Sequence, residues 1–391
     1  MTQQQIHLAV ALDGAGWHPS AWREADAVAA AGLFGADYWL DQVRRAEAAQ
    51  LDFVTLEDGF PLQPDGQVRG RLDAALIAAR VAPLTRHIGL VPTITTAHTE
   101  PFHVSKVLAT LDFASTGRAG WRPRLGALSE IPIPGAPRNE APLFGRREPA
   151  AYPELFREAA DHVEVVRRLW DSWEDDAEIR DAATGRFIDR EKLHYIDFTG
   201  PDFSVRGPSI TPRPPQGQPP VVALAHQGDA YAFAARAADV VLVTPQSTGG
   251  IEPILAELRD AQAAAGRAER PLLVFGEFVV FLDEDPKAAF ARKERLDEAA
   301  GEPYRSDAPV FVGSPDELAE QLALWAQYGL DGFRLRPAAV PHDLEAITHR
   351  LVPRLRELGL FRQAYTADTL RGHLGLDRPA NRYAAPAVAA A

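Results

Sequence analysis

Cysteine is absent from this chain of 391 residues, and with it every disulfide, thiolate nucleophile and cysteine-ligated metal centre. Other metal signatures are missing too, since neither HExxH nor a comparably spaced set of histidines and carboxylates occurs. There is no GxGxxG after the first apolar run and no GxxxxGK followed by Ser or Thr, so two common nucleotide-binding loops have no support. No stretch approaches the roughly 18 consecutive apolar residues of a membrane span. The polar start MTQQQ lacks the features of a signal peptide, and a cytoplasmic location away from membranes is expected. Positive charge is also short: 41 Lys and Arg face 54 Asp and Glu, a net charge of −13 that speaks against a nucleic-acid partner. An anionic ligand then needs a local basic or amide-rich pocket, and redox chemistry needs a bound cofactor.

What the chain has is an apolar fraction of 46% with 24% charged residues, the balance of a globular protein long enough for one large α/β barrel or two ordinary domains. Its organising stretch is Ile88 to Trp121. Ile88, Leu90 and Val91 form a β-prone run that stops at Thr93, Thr95, Thr96 and His98, so hydroxyls and an imidazole gather where a buried strand ends. Ligands sit at such strand ends in α/β proteins. Pro101 suits the first turn of a helix, and Val104, Val107, Leu108 and Leu111 give that helix one apolar face.

The rest of the chain repeats this rhythm. IHLAVAL reads as a first strand running into a loop crowded with Trp17, His18 and Trp22; LDFVTL reads as a second, ending at Glu57-Asp58-Gly59. A carboxylate there can bond a ligand, although an Asp before Gly also serves as a turn or helix-cap residue. Further runs near residues 88, 119, 221, 239, 272 and 332 bring the strands to eight, mostly separated by amphipathic helices, which favours a closed (β/α)₈ TIM barrel over an open sheet. His226-Gln227-Gly228 opens a helix just after one strand, a placement suited to a phosphate. Two irregular insertions, about 122–150 and 173–215, interrupt the pattern, and an extended C-terminal tail occupies about 360–391; the whole 1–391 reads as a single barrel domain. The acidic run EDDAEIRD reads as solvated surface.

Eight segments, in order, resemble one family. They are GWHPSAWR, FVTLEDG, the Ile88 to Trp121 stretch, HVEVVRRLWDSWEDDAEIRDAATGRF, FSVRGPSITPRPPQGQPP, ARAADVVLV, VGSPDELAEQLALWAQYGLDGFRL and LVPRLRELGLFRQAYTADTLRGHLGL. Together they are similar to the flavin-dependent monooxygenases of the bacterial luciferase-like superfamily, in its nitrilotriacetate and dibenzothiophene-sulfone monooxygenase branch. The resemblance implies a TIM barrel with insertions and a homodimer. It implies reduced FMN delivered by a separate NAD(P)H-dependent flavin reductase. It also implies reaction with O₂ to a flavin C4a-(hydro)peroxide that oxygenates a small organic substrate.

Carried over position by position, the resemblance makes Asp58, Thr95 and Thr96 flavin neighbours and sets Tyr152 and Phe156 where the family often has His and Tyr. It sets His226 and Gln227 where the family has a phosphate-binding Ser pair. Arg122 and Arg334 replace two asparagines. These departures face the ligand, which implies a rebuilt phosphate pocket in which Arg122, Arg124, His226 or Arg334 supplies charge-assisted bonds. His18, His98 and Glu57 are the candidates for catalytic proton handling, because all three follow strand ends. Arg118 reads as a turn anchor. Two alternatives stay open: an F420-dependent oxidoreductase on the same barrel, or a non-catalytic flavin-binding protein.

Overall fold

The computed structural model describes residues 5–24, 32–126, 140–145, 152–267 and 271–384. Short runs, apolar in all but the fourth, form eight parallel strands: β1 His7–Leu12, β2 Phe53–Leu56, β3 Gly89–Thr95, β4 Arg122–Arg124, β5 Val222–Leu224, β6 Val240–Val243, β7 Leu273–Leu282 and β8 Gly332–Pro337. They pair in the order β4-β3-β2-β1-β8-β7-β6-β5, and a parallel bridge between Trp121 and Val221 joins the two edges. Outside lie α1 Ala36–Ala48, α2 Ala74–Val81, α3 Pro101–Ala114, α4 Tyr152–Asp171, α5 Gly228–Ala237, α6 Ile251–Ala264, α7 Pro286–Ala300 and α8 Pro315–Ala326, with a last helix running from His342 to Glu357 through a π turn. This is the expected TIM barrel. No helix among the described residues is long and apolar enough to cross a membrane.

Local chemistry explains the helix starts. Ser314 caps α8 in a capping box with Glu317, and Pro315 takes the first turn, as the sequence predicts. In α3, Val104, Leu108 and Leu111 are buried as expected, but Val107 is exposed and lies outside the core. The fourth strand also differs from expectation. The irregular insertion anticipated from Arg122 begins after Arg124, because Arg122–Arg124 pair in register with Thr93–Thr95. Their polarity hides the strand from a hydropathy reading, since the inward side chains are guanidinium groups rather than aliphatic ones.

Side chains alternate inside and outside along each strand, and the inside is layered. At the N-terminal end the layer is apolar, with Ala9, Phe53, Val91, Val222, Val240 and Phe275. The tail closes that end. Leu370 and Leu374 are buried among those residues, and a Cβ on Gly89 would lie 2.6 Å from the Leu370 side chain. The segment expected as an extended tail therefore acts as a plug. Within 173–215 two hairpins form, Glu178–Asp181 with Arg186–Ile188 and Phe198–Thr199 with Ser204–Val205. The acidic run there is tied down at its start, where Asp175 accepts from both Arg213 and Arg378. Arg118 is the expected anchor: its buried guanidinium donates to the carbonyls of Ser115, Ile88, Ala82 and Thr85.

Candidate active site

The same alternation that lines the barrel floor with aliphatic groups lines its C-terminal mouth with charge. Glu277 interrupts the apolar run of β7, and its register partner Arg334 on β8 forms an ion pair with it; Arg336, one inward step further, pairs with the other oxygen. Arg334 Nη1 also donates to Thr55 Oγ1 at 2.8 Å and to Glu57 Oε1 at 3.2 Å. Across the barrel Arg122 Nη1 donates to Glu57 Oε2 at 2.9 Å and to Thr93 Oγ1 at 3.1 Å. Arg336 reaches outward to Asp307 at 2.6 and 3.0 Å, and Asp307 lies 3.4 Å from His226. Three guanidinium groups and three carboxylates thus form one continuous network.

Compensation is what makes such burial tolerable. Burial pushes the Glu57 carboxyl up, but Arg122 and then Arg334 outweigh it and hold it below the usual glutamate range. Burial brings the Arg122 guanidinium down to about 10, against the pull of Glu57. The pairing leaves donors over. Arg122 Nε, Arg334 Nη2 and Arg336 Nε are buried and have no hydrogen-bond partner among the described residues. Buried donors are rarely left unused.

The sequence-derived candidates fall into separate groups. Thr95 and Thr96 are buried at the end of β3; Thr95 Oγ1 accepts from Arg124 at 3.4 Å, and Thr96 donates its N–H to the Arg124 carbonyl at 2.8 Å. Arg124 in turn donates to Glu140 at 2.7 Å. His98 stacks on Phe144 with ring centroids 4.5 Å apart. His226 is partly exposed with Nδ1 2.9 Å from Thr244 Oγ1, and Gln227 stands at the N-cap of α5 without capping it. Phe156, on the first turns of α4 with Tyr152, packs against Phe233 on α5 with ring centroids 6.0 Å apart. Asp58 accepts from the N–H groups of Gly59 at 2.7 Å and Ala74 at 2.9 Å, so it braces the start of α2.

His18 is buried with both ring nitrogens occupied. Nδ1 accepts from the Ser20 N–H at 3.1 Å, which places the proton on Nε2, 3.1 Å from Asp297. Burial lowers its pKa despite Asp297. The guanidinium groups of Arg122 and Arg334, expected to serve a phosphate, are buried and paired with Glu57 and Glu277. The sequence reading missed Glu277, Arg336, Asp307 and Thr244. One signal was present: Glu277 and the pair Arg334 and Arg336 are charges at inward positions of strands otherwise made of apolar residues.

Beside the network opens a cavity of about 690 Å³. It is walled by the loops after β1 and β2 and by the segment following α7, and Glu57 reaches it from the network.

A barrel with its ionised groups and its cavity gathered at the C-terminal mouth is the architecture of a (β/α)₈ enzyme. The chain belongs to the luciferase-like monooxygenase family, whose pattern it matches over residues 15–332. It is 30% identical to the N-acetyl-S-(2-succino)cysteine monooxygenase of Bacillus subtilis (strain 168), over 98% of this chain and 99% of that protein. It is 29% identical to nitrilotriacetate monooxygenase component A of Aminobacter aminovorans, over 98% of this chain and 99% of that one. Among solved structures, EDTA monooxygenase from Chelativorans sp. BNC1 superposes with a TM-score of 0.82 at 25% identity, covering 96% of this chain and 99% of that one. The protein is thus an enzyme, an oxidoreductase of the flavin-dependent monooxygenase class.

The mouth fits a flavin. Its three unpartnered guanidinium N–H donors suit the acceptor edge of an isoalloxazine ring, and the open N-terminus of α5, where a Cβ on Gly228 would meet nothing within 4 Å, suits a phosphate.

Proposed function

We propose that this enzyme is the oxygenase component of a two-component system, using reduced FMN from a separate NAD(P)H-dependent flavin reductase and O₂ to oxygenate a small organic substrate. The observation that carries this reading is the set of buried, unpartnered donors on Arg122, Arg334 and Arg336, in the network whose Glu57 reaches the cavity. When bound, reduced FMN supplies the electrons that activate O₂. The chain's own residues bind and shield it. His226, Gln227 and the first N–H groups of α5 hold the phosphate, with Tyr152 and Phe156 on α4 alongside, while Thr95 and Thr96 line the ring end. The arginine donors favour an electron-rich ring, since the network leaves them desolvated and fixed in place.

In this reading Glu57 stays ionised and positions Arg122 and Arg334, and His18 fixes the loop after β1 through Asp297. Asp58 serves the ring end by bracing the loop after β2. His98, stacked on Phe144, is the histidine left for proton handling at the mouth. A homodimer in the cytoplasm completes the proposal.

Anaerobic titration of the full chain with photoreduced FMN, with reduced F420 in a parallel arm, tests it. Retention of reduced FMN in preference to F420, followed on admitting air by an oxygenated flavin spectrum that outlives free reduced FMN, is expected. Retention of F420 alone, or of neither, overturns the cofactor assignment.

A further inference from the structure

The cavity beside the network has walls that belong to this chain and say something about its occupant. Besides Tyr304 and the His18 imidazole, they carry three indoles and a phenyl ring: Trp17 and Trp22 from the loop after β1, Phe34 before α1, and Trp39 on it. The indole N–H groups are all spent on backbone. Trp17 donates to the Ala11 carbonyl at 2.9 Å, Trp22 to that of Gly66 at 3.0 Å and Trp39 to that of Leu33 at 3.0 Å. Each indole is therefore fixed, and what it has left to offer a ligand is ring surface, on Trp22 the face opposite the Arg23 guanidinium 5.1 Å from its ring centroid. The Arg336 guanidinium lies over the Trp17 ring, 4.6 Å from its centroid, and ties this wall to the charged network. Phe34 and Trp22 remain 56% and 36% exposed, an apolar rim that water solvates poorly.

Charge on the lining points the same way. The acids Asp13, Glu57 and Glu302 outnumber the bases Arg71 and Arg305. Arg71 is already engaged, donating to Asp13 at 3.0 Å. A ligand carrying several carboxylates would meet no surplus of positive charge here. Nitrilotriacetate, named in a relative of 29% identity, is such a ligand. A flat, uncharged ring system would instead cover indole and phenyl faces that are already in place.

We infer that the substrate of this enzyme is a planar, uncharged aromatic or heteroaromatic molecule, held between the ring faces of Trp17, Trp22, Phe34 and Trp39. The inference rests on the monooxygenase reading for the word substrate, but the binding it describes does not require turnover.

Equilibrium dialysis of the full chain, with and without FMN, against 2-naphthylmethanol, 2-naphthoate and nitrilotriacetate tests it. The neutral planar probe binds at least about tenfold more tightly than either anion, and Trp22→Ala and Phe34→Ala each weaken it by about tenfold. Melting temperature and FMN retention, measured on the same variants, stay at wild-type values and show that the fold and the cofactor site are intact. Naphthylmethanol binding in a chain that fails to retain FMN supports the inference while sinking the cofactor reading. Nitrilotriacetate binding as tightly as the neutral probe overturns the inference, as does unchanged probe affinity in both variants.

Discussion

Arg334 and Glu277 face each other in register on adjacent strands, both with fully buried side chains, and make an ion pair inside the barrel. Glu277 also holds Arg336, so a single carboxylate compensates two guanidinium groups. Replacing Glu277 with Gln leaves both cations short of a counter-charge in a desolvated site. A loss of about 3–5 kcal/mol in unfolding free energy is expected. Urea denaturation of Glu277→Gln beside the wild type measures it, and a loss under about 1 kcal/mol would mean that the network relaxes or admits water. The double variant Glu277→Leu/Arg334→Leu is expected to lose less than Glu277→Gln, because it removes a cation together with its partner and leaves Arg336 on Asp307.

The opposite end of the barrel makes a different demand. Leu370 from the C-terminal segment is fully buried against the apolar floor, with Gly89 and Gly120 leaving room for it. Leu370→Ala empties that space, and a loss of about 2–5 kcal/mol is expected. Because Leu370 packs in an apolar cluster that contains none of the charged residues, its effect should add to that of Glu277→Gln within roughly 0.5 kcal/mol. Strong non-additivity in the denaturation of the combined variant would contradict the layered reading of the interior.

These two ends show why part of the structure was legible in the sequence and part was not. Seven of the eight strands and their helices follow from local apolar runs and from caps such as Ser314, which carry their own signal in a few residues. The plug had no such signal. Leu370 and Leu374 lie in a short helical turn whose burial depends on a surface assembled from distant strands. β4 was misread from the opposite side, since its Arg-Pro-Arg sequence looks like a loop until Glu57, Thr93 and Glu140 are placed around it. The site behaved likewise: residues at strand ends could be named, but which carboxylate each arginine would choose is a property of barrel closure. Asp58 shows the limit of position alone, as its strand-end carboxylate binds the backbone of Gly59 and Ala74.

His162 offers a test through pH. It is buried on α4 between Trp121 and Phe203 with a hydrogen bond to the Thr96 backbone, and burial pushes its pKa from 6.5 down to about 3, the Thr96 bond opposing. A group with a depressed folded pKa binds its proton more readily in the unfolded chain. The native state therefore loses stability as pH falls from 6.5 towards 3, by at most roughly 1.4 kcal/mol per pH unit from this residue. In His162→Leu that contribution disappears. The difference in unfolding free energy between variant and wild type is expected to shift in the variant's favour as the pH is lowered through this window. A difference that stays constant would show that His162 is protonated in the folded protein or reached by water.

The proposed homodimer makes the last demand on the fold, and Val107 explains where to look. It was expected in the core and is instead exposed on α3, as is Phe113, while Leu76 and Leu84 are exposed on and just after the neighbouring α2. Leu76 is 70% exposed, an unusual position for a large aliphatic side chain in the first turn of a short amphipathic helix. Several such residues on two adjacent helices give an apolar patch of the kind that marks an interaction surface. A second copy is the expected occupant, since a twofold arrangement would set this patch against itself. Sedimentation equilibrium should give the mass of a dimer for the wild type. Leu76→Glu combined with Phe113→Glu places charge in the interface and should give a monomer with an unchanged circular dichroism spectrum, because neither side chain supports the barrel core. A double variant that still sediments as a dimer would move the interface elsewhere, and a wild-type monomer would remove the dimer from the proposal.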